Sequence, residues 1–127
     1  MDLQVKKSFK KRLEKSICKE FYNQVRLRQL YNEFKKDFFI FHIANEQFNN
    51  AGYTKNLMAM GLRPGVFDYC VISEGRVGFI EFKRDSKHKL SPKQVEFKEI
   101  LEGLGIPHLV TWEVDQAIDW LKEWLTT

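Results

Sequence analysis

Cysteine is scarce in this sequence, with only Cys18 and Cys70 in 127 residues, and their separation is not that of a metal-chelating pair. Such usage suggests no zinc site and fits a reducing compartment. Long apolar runs are missing too. The longest in the N-terminal half, Phe38 to Ile43 with His42 inside it, falls far short of the roughly 20 residues a membrane span needs. A soluble chain with no membrane partner is expected. A secretory leader is equally unexpected, because residues 1–36 mix basic and apolar residues without an apolar core region or a cleavage site. The sequence shows no internal repeat, linker or low-complexity segment.

What it does have is apolar and aromatic bulk. Eleven phenylalanines and an apolar fraction of 43% argue for a packed globule over disorder. A length of 127 residues suits one domain with a real core. Charge is distributed unevenly. Residues 1–36 hold 11 Lys and Arg against 4 Asp and Glu, a surplus of +7; residues 37–127 hold 10 against 13, or −3, and the two parts give the net +4. A basic helical extension over 1–36 and a single globular unit over 37–127 are expected. A basic arm beside a nearly neutral domain matches the electrostatic footprint of a phosphate-backbone reader, and also that of a solvated helix face.

Apolar periodicity places the elements. Val5, Phe9, Leu13 and Ile17 form one helical stripe and Leu27, Leu30, Tyr31, Phe34 and Phe38 another, with Phe21, Tyr22 and Val25 pointing elsewhere. One long helix with two apolar faces, or two helices with a break, would produce this, and the surplus apolar surface points to a homodimer. Residues 38–43, FFIFHI, read as a short buried strand, 54–60 as a short helix ended by Gly61, and Arg63-Pro64-Gly65 as a turn. Ser91 is the expected N-cap of a further helix, with Pro92 at its first position and Gln94 completing a capping box. That helix is expected to bury Phe97, Ile100, Leu101 and Leu104 and to stop at Gly105 and Pro107. A last strand, His108 to Trp112, precedes a helix with Val114, Ala117, Ile118, Leu121 and Leu125 on one face. The fold class is α/β.

Residues 65–85, GVFDYCVISEGRVGFIEFKRD, raise the chemical question, since Asp68, Glu81 and Lys83 sit among apolar strand residues where unpaired charge is costly. With Glu74 and Gly75 as a two-residue turn, Ser73 faces Arg76, and paired positions sum to 149. Asp68 then lies opposite Glu81. Alternation puts Glu81 and Lys83 on one face and the Phe82 side chain on the other. Like charges directly across a strand pair repel, and a hard divalent cation, Mg²⁺ or Mn²⁺, would resolve that repulsion. Water, a main-chain carbonyl such as that of Phe82, and a phosphate oxygen would complete its coordination. A lysine beside such a centre can orient water or stabilise developing charge, which is the chemistry of phosphodiester hydrolysis. The competing reading is an inter-strand salt bridge through Lys83.

HIANE (42–46), MGLRPGVFD (60–68), FIEFKR (79–84), LSPKQ (90–94) and LGIPHLVTW (104–112) resemble, in order, the motifs of the VRR-NUC nucleases, a branch of the PD-(D/E)xK superfamily. The similarity spans residues 42–125. It implies a restriction-endonuclease-like core with a mixed β-sheet flanked by helices, a divalent-metal site, DNA as substrate, and a cytoplasmic setting in a bacterial or phage-infected cell. It also implies Asp68 and Glu81 as metal ligands, Lys83 as the catalytic lysine, Glu46 as a third acid and Gln94 as a polar residue near the site. The chain departs from the pattern at Phe67, where the family usually has proline before the aspartate. Small members resemble Holliday-junction resolvases, which act as dimers, so branched DNA is the expected substrate.

The remaining assignments are local. Glu46 could instead cap the turn that follows its strand. His42 reads as a satisfied strand histidine outside the metal shell. Arg84, Lys87 and Lys89 flank the expected site and are candidates for DNA-backbone contacts, as are Lys6, Lys7, Lys10, Lys11 and Lys15 on the N-terminal helix. A second class of function is a nucleic-acid-binding module that keeps the fold and has lost turnover; the complete Asp68, Glu81 and Lys83 set argues against it.

Overall fold

The structure, a computed structural model, describes residues 3–44 and 51–127, with side chains described over 13–44 and 52–127. In chain order the elements are α1 (Leu3–Leu30), β1 (Phe39–His42), α2 (Ala51–Ala59), β2 (Tyr69–Ser73), β3 (Arg76–Phe82), α3 (Pro92–Gly103), β4 (His108–Thr111) and α4 (Val114–Leu125). The four strands form one mixed sheet in the order β1-β2-β3-β4. β1 and β2 pair antiparallel, β2 and β3 antiparallel, and β3 and β4 parallel across the α3 connection. Among the described residues no helix is long and apolar enough to cross a membrane.

The β2–β3 hairpin follows from two residues. Glu74 (φ 47°) and Gly75 (φ 75°) both adopt left-handed conformations, as a turn of the type I′ class requires. Ser73 pairs with Arg76 and Tyr69 with Ile80, which is the expected register. On one face of the sheet, Ile40, Tyr69, Val71, Ile80 and Phe82 join Phe21 and Val25 of α1 and Ala117, Ile118, Leu121, Trp124 and Leu125 of α4 in the main core. On the other face α3 packs Phe97 edge-on against Phe67 and Phe79, with centroids 5.1 and 5.2 Å apart.

α1 is one helix, and its buried seam differs from the expected stripes. Phe21 and Val25 are wholly buried, Ile17 and Cys18 lie against the same cluster, and Leu13, Leu27, Leu30 and Tyr31 face solvent. Part of the basic segment therefore forms a layer of the domain. The helix ends at Leu30 because Asn32 takes φ 56°. Its neighbours close the turn, with the Asn32 N–H donating to Gln29 O and the Glu33 N–H to Arg28 O. Tyr31, Phe34 and Phe38 consequently lie beyond the helix, and Phe34 packs edge-on against Phe38.

Two further corrections concern burial. β1 is not a buried strand, because it is an edge strand with only Ile40 inside and Phe39 and Phe41 exposed. α3 buries Leu101, whereas Ile100 and Leu104 face outward. Its ends match expectation. Ser91 Oγ accepts from the Gln94 N–H, Gln94 Oε1 accepts from the Ser91 N–H, and Gly105 (φ 70°) terminates the helix. α4 gains one core residue that the periodicity missed, Trp124.

Candidate metal and phosphate site

One step beyond the β2–β3 ladder, the register places Asp68 opposite Glu81. There, side chains bond to the main chain. The Asp68 N–H donates to Glu81 Oε1 (3.1 Å), and the Phe82 N–H donates to Asp68 Oδ2 (2.8 Å). The Asp68 carbonyl accepts the Ile43 N–H at 2.7 Å, which ties the end of β1 to the same point. The Lys83 N–H donates to the Thr111 carbonyl at 2.8 Å and fixes the far side to β4. Three strand connections thus converge where the two carboxylates meet.

Lys83 and Gln94 complete the cluster. Lys83 Nζ lies 3.5 Å from Glu81 Oε2 and donates to Gln94 Oε1 at 2.7 Å. Gln94 Nε2 donates to Glu81 Oε2 at 2.8 Å. The capping-box glutamine therefore bridges the lysine and the glutamate while closing its own helix turn. α3 can approach this closely because residue 65 is glycine. Gly65 takes φ 88°, and a Cβ there would sit 2.4 Å from the Lys93 carbonyl carbon.

Burial pushes both carboxyl groups up. Glu81, only 3% exposed, is raised to about 8, first by burial and then by the Asp68 charge, with Lys83 pulling the other way. Asp68 is raised by burial as well, against the Phe82 N–H and the charges of His42 and Lys83. Around the pair opens a pocket of about 230 Å³ lined by His42, Ile43, Gly65, Val66, Asp68, Glu81, Ser91 and Gln94.

The structure thus brings together Asp68, Glu81, Lys83 and Gln94 of the expected set, with Phe82 joined through its main chain. Glu46 lies outside the described residues. No third His, Cys, Asp or Glu among the described residues gathers with the pair into a metal-sized cluster. Two hard oxygen donors, held adjacent, partly desolvated and open to solvent on one side, suit Mg²⁺ or Mn²⁺ with water completing the coordination.

His42 is the last residue of β1; it is exposed, lines the pocket and stands edge-on to Tyr69 with centroids 5.3 Å apart. Its signal in the sequence was its place as the last residue of a strand running toward Asp68. Arg84 Nε is engaged by His88 Nδ1 (3.3 Å) and Asp85 Oδ2 (3.5 Å). Lys87 and Lys89 are exposed on the same loop. Lys6, Lys7, Lys10 and Lys11 fall on α1 with their side chains outside the described residues, and Lys15 is exposed. Cys18 and Cys70 are free, and burial pushes the Cys18 thiol up to about 12 and raises that of Cys70, as inert buried thiols require. No protein-family model, no curated protein and no solved structure gives a significant match to this chain.

Proposed function

We propose that this chain is a divalent-metal-dependent DNA nuclease that hydrolyses phosphodiester bonds at the Asp68–Glu81 pair. The observation that supports it most is this one: two mostly buried carboxylates face each other at an open pocket, with a lysine 3.5 Å from one of them. A salt bridge alone would need one acid. Here a second acid raises the cost of ionising the first, an arrangement that favours a bound cation.

In this reading Asp68 and Glu81 hold the metal, which supplies charge neutralisation and polarises the phosphate. The chain's own groups do the rest. Gln94 fixes the Glu81 carboxylate through its amide N–H and holds Lys83 through its amide oxygen. Lys83 keeps its ammonium beside Glu81 and Gln94, which line the pocket, and from there stabilises the negative charge that develops on the phosphate or orients the attacking water. The burial of Glu81 and Asp68 keeps bulk water from screening that charge. The mixed sheet with helices on both faces is compatible with a restriction-endonuclease-like core, and the ordered VRR-NUC-like motifs support the same activity. The exposed basic loop at Lys87 and Lys89 suits contact with the DNA backbone.

The test is incubation of the purified protein with linear, nicked, flap and four-way-junction DNA in Mg²⁺, Mn²⁺ or EDTA. Cleavage should require metal and vanish in Asp68→Asn and Glu81→Gln, both of which retain an oxygen for the main-chain bonds. Cleavage that survives either substitution, or no cleavage of any DNA in either metal, would overturn the reading.

A further inference from the structure

Part of one sheet face, over β1 and β2, is exposed among the described residues. Side chains alternate along a strand, and the β1–β2 register pairs Phe41 with Cys70 and Phe39 with Ile72, so all four share the face that carries Asp68 and Glu81. α3 covers the β3 part of that face, where Phe97 packs against Phe79. Over β1 and β2, Phe39 is 65%, Phe41 38% and Ile72 45% exposed. The two phenyl rings lie side by side, with centroids 5.8 Å apart and planes inclined by 36°. Two residues beyond Phe41, and so on the same side of the chain, Ile43 donates its N–H to the Asp68 carbonyl and lines the pocket.

We propose that Phe41 and Phe39 form a stacking platform for unpaired nucleobases, so that the substrate carries a single-stranded segment beside the phosphate to be cut. The inference rests on reading the pocket as a phosphodiester-cleaving site and adds the form of DNA that it takes. Continuity with the pocket selects the occupant. Whatever sits on Phe41 also borders the opening at Ile43, and a protein surface there would crowd the substrate's path, whereas the substrate's own neighbouring nucleotides would extend it. Pocket size agrees. A pocket of about 230 Å³ is smaller than the roughly 300–1,000 Å³ that encloses a whole small-molecule ligand, so a polymer would insert one phosphodiester unit and lay the rest across the surface. Aromatic rings suit that rest, because every base has a π-face, and stacking is indifferent to sequence. In a fully paired duplex the base faces are occupied by their neighbours.

Fluorescence anisotropy of the full chain in EDTA, with labelled oligo(dT) and a blunt duplex of equal length, tests this. Phe41→Ala should weaken oligo(dT) binding by about tenfold, an effect expected of one lost stack. Phe41→Trp should retain binding, and duplex affinity should stay within twofold. Both substitutions are at exposed positions, and unchanged circular dichroism would verify the fold. Equal losses on both DNAs, or oligo(dT) binding unaffected by Phe41→Ala and Phe39→Ala, would overturn the platform. So would loss of self-association in light scattering without loss of oligo(dT) binding, which would assign the face to a second copy of the chain. The two readings separate cleanly. Metal-dependent cleavage of flap DNA that ignores Phe41→Ala keeps the nuclease and discards the platform. Selective loss of oligo(dT) binding in a protein that cleaves nothing does the reverse.

Discussion

Gln94 donates its amide N–H to Glu81 Oε2 at 2.8 Å, and this bond wires the first turn of α3 to the acid that β3 delivers to the pocket. A residue that closes a helix end thereby also holds the buried Glu81 carboxylate. The two roles can be separated. Ser91→Ala breaks the capping box without touching Glu81, while Gln94→Met breaks both. Each should lose about 1 kcal/mol of stability in urea titrations. Only Gln94→Met should also slow cleavage, and equal rates in the two variants would show that Gln94 serves the helix alone.

The metal-free protein should lose stability as pH rises. An ordinary glutamate titrates near pH 4.3 to 4.5, and folded Glu81 near 8, so between these values the folded state holds a proton that the unfolded state has released. That contribution is complete below the unfolded value and is lost as pH climbs through the folded one. Asp68 shifts in the same direction. Urea midpoints in EDTA should fall from pH 5 to pH 8, and Glu81→Gln should flatten the trend. Adding Mg²⁺ should raise the midpoint most at the alkaline end, where the carboxylates are free of protons. A midpoint that climbs with pH in EDTA would contradict the assignment.

Lys83→Ala should reduce the cleavage rate by about 2 to 4 kcal/mol of transition-state stabilisation, the range seen when a preorganised charge-stabilising group is removed. Its ammonium lies beside Glu81 and does not face a metal as a ligand, so calorimetric titration should show nearly unchanged Mg²⁺ affinity. Lost metal binding would make it an organiser of the carboxylate pair.

Leu30 and Tyr31, 74% and 69% exposed at the end of α1, are the apolar surplus expected to mediate self-association. Because neither supports the core, Leu30→Glu with Tyr31→Ser should leave the melting temperature within a few degrees. The same pair should shift the light-scattering mass toward the monomer. A wild-type protein that is monomeric throughout would remove the dimer.

The part of the site that was legible in the sequence is the part fixed by short-range rules. A two-residue Glu74-Gly75 turn determines the hairpin register, and register alone aligns Asp68 with Glu81. The Ser91, Pro92 and Gln94 pattern likewise specified the start of α3. Tertiary choices were not legible. α1 offers apolar residues on several sides, and only the shape of the sheet and α4 selects Phe21 and Val25 for burial. The same limit hid the exposure of β1, since hydrophobicity cannot say which strand ends at an edge. Asn32 was a readable signal for the end of α1, because asparagine tolerates the left-handed conformation that closes such a helix.

Gly65 has one consequence for how this protein can change. Its contact with Lys93 is backbone against backbone, with no side chain between to lengthen, shorten or swing aside. The aperture between the Gly65 turn and α3 is therefore set by the thickness of two polypeptide chains. Point substitutions can alter the charge or polarity of the opening, but not widen it on that side without lifting the whole helix, and Gln94 with it. Adaptation to a bulkier substrate would have to come from other lining residues, such as His42 and Ile43.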